Sequence, residues 1–578
     1  RSGEDMKRRH ALGLTPLAKL LRDIDAMRSV QDIVRTIARM ERMGSGGVWS
    51  IGIDQDMKDS ERYIIYLGQG GLGMPDRDYY LKDDAESQRV RKAYEKHLVR
   101  LLGLAGRRKE ARQSPRQGDD ASDAAVVLEI ETALAKASMK KEDVRDVDKT
   151  YHKKSLAQLR TLAPRINWKG YFKLLGTEPK NVVVMQPAFF AAAERLLNTY
   201  PVESWKTYLR THLVGDFAFF LTPELEKENF AFYGTVLSGT KHMRPLWQRI
   251  LRVVNGGLSE LLGELYVKEY FPPEAKHKIA EVVADLFSAY EARIKNLDWM
   301  STMTKQKAIK KLRQMTRKLG YPDKWKTYRG LCIRANDYAG NAMRVSEYEH
   351  RRAVRRLEKP VDRKEWFMSP QTVNAYCSFG LNDVVFPAAI LQPPFFSVNS
   401  DDAVNYGGIG AVIGHEITHG FDDQGCKFDG KGNRKTWWTK QDQAQFDKKA
   451  KVFVKQFNKY LVAGGLNVNG QLTLGENIAD LGGASIAFDA YKLNLDKTGR
   501  ENINGFTPEQ RFFLSFALFE RENRRPEAEK TQVLTDPHSP GQFRINGPAS
   551  NLPEFYSAFG VKKGDKLYRE PKSRAKIW

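Results

Sequence analysis

The five residues His415-Glu416-Ile417-Thr418-His419 carry the clearest chemistry in this 578-residue chain. Two histidines at this spacing lie one turn apart on one face of a helix, so both imidazoles can reach a single Zn²⁺. The carboxylate beside the first histidine then stands where it can act as general base on a metal-bound water. Together these residues specify metal-assisted hydrolysis. A catalytic zinc needs a third protein ligand and one position left open for water. The longer pattern with a further glycine and histidine fails, because Asp422 and Gly425 occupy those positions. The first glutamate after His419 is Glu476, within Leu474-Gly475-Glu476-Asn477-Ile478-Ala479-Asp480-Leu481-Gly482-Gly483. Glu476 and Asp480 share a helical face. That places a ligand carboxylate beside a second one suited to accept the free N–H of a ligand histidine. Asp422, one turn after His419, is another candidate for the latter task.

These side chains need elements to hold them. The small, apolar stretch 406–414 predicts a buried helix that ends near Gly420. Residues 372–379 have the β-branched and aromatic content of a strand. An extended peptide can add to the edge of such a strand through main-chain hydrogen bonds. Apolar residues recur at three- and four-residue intervals over 14–43, 87–104, 208–221 and 275–297, which predicts helices. Short strands are expected near 63–67, 181–185 and 371–379. Residues 106–123 are polar and charged around Pro115 and predict a disordered insertion in a surface loop. The stretch 323–337 has the character of a connection between lobes. The expected architecture is mainly α with a small sheet (α+β), in two lobes. Residues 1–340 form a helical lobe, whose first segment is allowed to pack on the catalytic lobe. Residues 341–578 carry the zinc helices and a small sheet.

Composition narrows the class. The chain is 41% hydrophobic and 11% aromatic, as in a globular protein. No uninterrupted apolar run is long enough to span a membrane. Formal net charge is +23, concentrated in the helix-like segments 305–318, 351–359 and 140–154 and in the C-terminal tail. No aromatic-interleaved basic motif or zinc-knuckle cysteines accompany it, so these are expected to be solvated faces and no nucleic-acid partner is expected. Cys332, Cys377 and Cys426 form an odd, sparse set, expected as free thiols of a reducing compartment. No Asn-x-Ser/Thr acceptor occurs. The expectation is a soluble, intracellular protein. The alternative is a protein anchored through a segment preceding Arg1, where no initiator methionine stands. Nothing in the pattern specifies an oligomeric state.

The sequence resembles the neprilysin-like zinc metallopeptidases, which include the endothelin-converting enzymes and bacterial oligopeptidases. The resemblance is carried by both metal motifs, by Val373-Asn374-Ala375-Tyr376, by Ile390-Leu391-Gln392-Pro393-Pro394-Phe395-Phe396, and by Asp536-Pro537-His538-Ser539-Pro540 with Phe543-Arg544-Ile545-Asn546-Gly547. Earlier, Gly71-Leu72-Gly73-Met74-Pro75-Asp76-Arg77-Asp78-Tyr79-Tyr80 and Gly320-Tyr321-Pro322-Asp323 also fit, so it spans nearly the whole chain. It implies a thermolysin-like catalytic lobe, with a helical lobe closing over an active-site cavity that admits short peptides. It implies one Zn²⁺ per chain held by His415, His419 and Glu476. Glu416 would pass a proton from water to the leaving amine, and Asp480 and Asp422 would orient the histidines. His538 would stabilise the oxyanion, and Arg544 would hold a substrate carbonyl. Asn374 and the Ala375 carbonyl would pair with the substrate main chain. Ile390, Phe395 and Val412 would line the side-chain pocket. The implied activity is endopeptidase cleavage of oligopeptides on the amino side of hydrophobic residues. The competing expectation is a catalytically silent peptide-binding protein of the same fold. The family's animal ectoenzymes carry a cysteine three residues before a terminal tryptophan, where this chain has Ala575.

Overall fold

The structure, a computed structural model, describes residues 1–106, 117–462, 464–498 and 501–578. Helices dominate, and the chain separates into two compact units. One comprises residues 1–55, 61–257 and 328–361; the other comprises residues 56–60, 258–327 and 362–578. A single boundary at residue 340 therefore does not describe these units. The reason is packing. The helices Pro273–Asn296 and Thr302–Gln314 bury Ile279, Leu286, Tyr290, Ala308 and Leu312 in the same core as Ile413, Ile417 and Phe421.

In the first unit, helices gather around a four-stranded sheet of order β1-β2-β4-β3. Its strands are β1 (Trp49–Asp56), β2 (Asp59–Gln69), β3 (Lys153–Ser155) and β4 (Asn181–Val184). β2 runs parallel to β4, with Ile65, Tyr66 and Leu67 opposite Val182, Val183 and Val184. All six are buried, as expected for strands covered by helices on both faces. Helix starts follow ordinary capping chemistry: Ser29 accepts from the Asp32 amide, and Asp84 from that of Ser87. The expected insertion is corrected in part. Residues 107–116 lie outside the described residues, but 117–123 open the helix Gln117–Ala137. The basic segment 140–154 is also not one helix. It forms two single turns, Lys141–Val144 and Val147–Thr150, and then β3.

The second unit holds a three-stranded sheet of order β5-β7-β6, built from β5 (Thr316–Gly320), β6 (Tyr376–Ser378) and β7 (Asp383–Pro387). β7 is central and wholly buried, while β6 is an edge strand antiparallel to it. The strand expected over 371–379 is shortened because its first residues spend their hydrogen bonds on turns. The Thr372 amide donates to the Ser369 carbonyl, and the Ala375 amide to the Asn374 side chain. β5 takes the end of a segment expected to be helical. Lys318 within it is buried and lies 2.5 Å from the buried Asp383 carboxylate, so it is not a solvated face.

Candidate metal centre and active site

Two crossing helices build the centre. The first, Ala411–His419, is preceded by a π-helical turn, Tyr406–Gly410, and is buried over almost its whole length. A helix apolar on all sides belongs in a core. The second, Leu474–Thr498, crosses it at glycines. A Cβ on Gly414 would stand 2.8 Å from the Gly483 carbonyl oxygen, and one on Gly483 would stand 2.7 Å from the His415 nitrogen. Only hydrogen side chains allow backbones this close. The crossing brings Glu476 and Asp480 to the face that carries His415 and His419.

His415 Nε2 and His419 Nε2 are 2.9 Å apart, and Glu476 Oε2 lies 3.4 Å and 3.5 Å from them. The other ring nitrogens are engaged: His415 Nδ1 is 2.8 Å from Asp480 Oδ1, and His419 Nδ1 is 2.8 Å from Asp422 Oδ2. An ionised carboxylate only accepts, so each Nδ1 carries a hydrogen, and in the neutral ring each Nε2 presents a lone pair. Two lone pairs and a carboxylate oxygen then face one another in a buried space. Glu476 Oε2 is itself buried with no hydrogen-bond partner. Such a cluster is repulsive without a cation at its centre, and its nitrogen and oxygen donors suit zinc. Burial opposes protonation of His415 and His419, yet the surrounding carboxylates raise both above the ordinary imidazole range. Against burial, His419 and His415 hold Glu476 well below the usual carboxylate range. The pocket favours positive charge where these three atoms converge.

Behind the ligands, Asp422 Oδ1 accepts from the amides of Gln424 and Gly425, which fixes its turn. Lys311, buried and unreadable as such in its basic helix, closes the same turn. Its Nζ donates to the carbonyls of Gly420, Gly425 and Phe428 at 2.5, 2.7 and 2.8 Å. Burial lowers its pKa to about 8. Asp480 is chelated by Arg544, with Nε at 3.0 Å and Nη2 at 2.7 Å, while Arg544 Nη1 lies 2.9 Å from Glu520 Oε1.

A cavity of about 470 Å³ opens onto the cluster. Its walls include every other residue singled out from the sequence: Asn374, Ala375, Ile390, Phe395, Val412, Glu416, His538 and Arg544. Glu416 is buried, and burial raises its pKa despite the nearby histidines. His538 Nδ1 lies 2.7 Å from Asp536 Oδ1, leaving Nε2 3.3 Å from Glu476 Oε2. Sequence reasoning missed Asp536, Glu520 and Lys311. Asp536 had a local signal, since an aspartate two residues before a histidine can accept its backbone amide, as it does here at 2.8 Å. Glu520 and Lys311 had none.

Fold and site together define a metal-dependent peptidase of the H-E-x-x-H type. Two sequence models, both described as Peptidase family M13, match residues 1–322 and 374–575, and the chain belongs to that family. It is a zinc metalloendopeptidase. Endothelin-converting enzyme 1 of Rattus norvegicus is 34% identical over 545 residues, covering 92% of this chain and 70% of the relative. Human neprilysin is 32% identical over 571 residues, covering 94% and 75%. The crystal structure of Mycobacterium tuberculosis zinc metalloprotease Zmp1 with an inhibitor superposes with a TM-score of 0.95 at 40% identity, over 100% of this chain and 87% of that one. PepO of Lactobacillus rhamnosis HN001 superposes with a TM-score of 0.89 at 27% identity, over 100% and 89%.

Proposed function

We propose that the chain cleaves short peptides on the amino side of a hydrophobic residue, with His415, His419 and Glu476 as zinc ligands and Glu416 as general base. One observation carries this reading: three lone-pair atoms converge beside a buried glutamate on the wall of a peptide-sized cavity. Zinc bound there would polarise the scissile carbonyl and make water acidic enough to lose a proton near neutral pH. Glu416 accepts that proton on its carboxylate and delivers it to the leaving amine. Its place on the cavity wall beside the ligands puts it within reach of such a water.

Asp480 and Asp422 hold the ring hydrogens on Nδ1 and so keep each Nε2 available. His538 Nδ1 is turned to Asp536, so Nε2 is the ring nitrogen that faces the cavity and would donate to the developing oxyanion. A fixed donor of this kind contributes about 3 kcal/mol to the transition state. Arg544 holds a substrate carbonyl with an N–H that Asp480 and Glu520 leave free. Asn374 and the Ala375 carbonyl, beside the edge strand β6, pair with the substrate main chain. Ile390, Phe395 and Val412 receive its apolar side chain. The three free thiols, Cys332, Cys377 and Cys426, support work in a reducing compartment.

Glu416→Gln tests the reading. Peptide turnover should fall about 10²–10⁴-fold, while zinc content stays at one per chain. A Glu416→Gln protein that cleaves peptides at the wild-type rate would refute it.

A further inference from the structure

The roles above leave one charged group on the cavity wall without a task. Glu520 follows the helix Pro508–Leu518 and lines the cavity together with Phe395, Phe519, Ile390 and Val412. Its side chain keeps 17% exposure. Oε1 is paired with Arg544, but that guanidinium already chelates Asp480, so one cation serves two carboxylates. Around the cavity stand Glu416, Glu476 and Glu520, with Asp480 and Asp422 directly behind. Arg544 and a divalent cation do not balance these five carboxylates, and among the described residues no lysine lines the wall. The site is therefore acidic in a chain whose formal net charge is +23. The charge of the whole molecule gives the wrong sign for the cavity.

We propose that Glu520 is a specificity-determining residue that lets the pocket accept lysine or arginine on the carboxyl side of the scissile bond, alongside apolar residues. The aromatic and aliphatic walls suit the methylene stem of such a side chain, and the Glu520 carboxylate receives its cationic head. The same carboxylate repels an acidic side chain at that position. The inference rests on the hydrolase reading above and narrows its substrate class.

The test uses two quenched fluorescent peptides that differ only in arginine or phenylalanine after the scissile bond. The ratio of kcat/KM, arginine over phenylalanine, should fall about tenfold in both Glu520→Gln and Glu520→Leu. An unchanged ratio in both variants overturns the proposal. Affinity is read separately in zinc-loaded Glu416→Gln protein. Adding Glu520→Leu there should weaken the arginine peptide about tenfold relative to the phenylalanine peptide, and an unchanged affinity ratio again overturns the proposal. If neither peptide is cleaved by the wild type but the affinity ratio shifts, the hydrolase reading fails and the role of Glu520 in recognition stands.

Discussion

Each unit of the molecule buries a histidine–carboxylate cluster, and the two differ in the sign of what faces the carboxylate. In the first unit, Glu131 is fully buried and accepts from the hydroxyls of Tyr80 and Tyr94 at 2.7 and 2.9 Å, with His212 Nε2 2.9 Å away. The two hydroxyls point their hydrogens at this carboxylate, and Glu131 raises the His212 pKa although burial opposes charge there. In the second unit, Glu476 Oε2 has no hydrogen-bond partner and lies against the Nε2 atoms of two imidazoles whose Nδ1 atoms are already turned to Asp480 and Asp422. Residue types and burial are alike. Donor–acceptor balance separates a carboxylate satisfied by two hydroxyls from one that calls for a cation.

The contrast breaks most visibly if both carboxylates are removed. Glu476→Ala should take bound zinc from about one per chain to near none after dialysis, measured by elemental analysis. Glu131→Ala should keep its zinc yet lose about 3–5 kcal/mol of stability, because a buried imidazolium and two hydroxyls lose their acceptor. Loss of zinc in Glu131→Ala, or its retention in Glu476→Ala, would reverse the assignment. Asp480→Ala should sharpen the picture on a smaller scale. It should weaken zinc about 10–100-fold in chelator competition, since His415 loses the acceptor that fixes its tautomer.

The smallest effect concerns pH. The folded His212 pKa lies above its unfolded value of about 6.5. Its contribution is therefore fully present below that value and fades as pH rises through the folded pKa. The melting-temperature difference between wild type and His212→Gln should be larger at pH 6 than at pH 9. A difference that grows with pH would contradict a protonated His212.

The metal cluster was legible because its parts are local. Two histidines one turn apart, a glutamate and aspartate one turn apart, and Asp422 one turn on each state a geometry without tertiary knowledge. That His538 and Arg544 stand on the cavity wall could be expected only through resemblance, since a histidine between prolines and a lone arginine state no geometry. Glu520 and Lys311 were opaque for a different reason. Charge patterning assigns a lysine among lysines to solvent, but the fold turns Lys311 inward onto three carbonyls. The units interleave along the chain, which sequence reading does not show because it favours contiguous segments, whereas residues 258–327 pack with 362–578. β5 and β7 escaped notice, being short runs whose pairing lies far apart in the chain.

The central claim is that His415 Nε2, His419 Nε2 and Glu476 Oε2 together hold one zinc ion. Anomalous diffraction at the zinc absorption edge, on crystals of the zinc-loaded protein, tests it directly. The account predicts a single strong peak about 2.0–2.2 Å from each of these three atoms. A peak elsewhere, or none with Glu476 turned away from both rings, would contradict it.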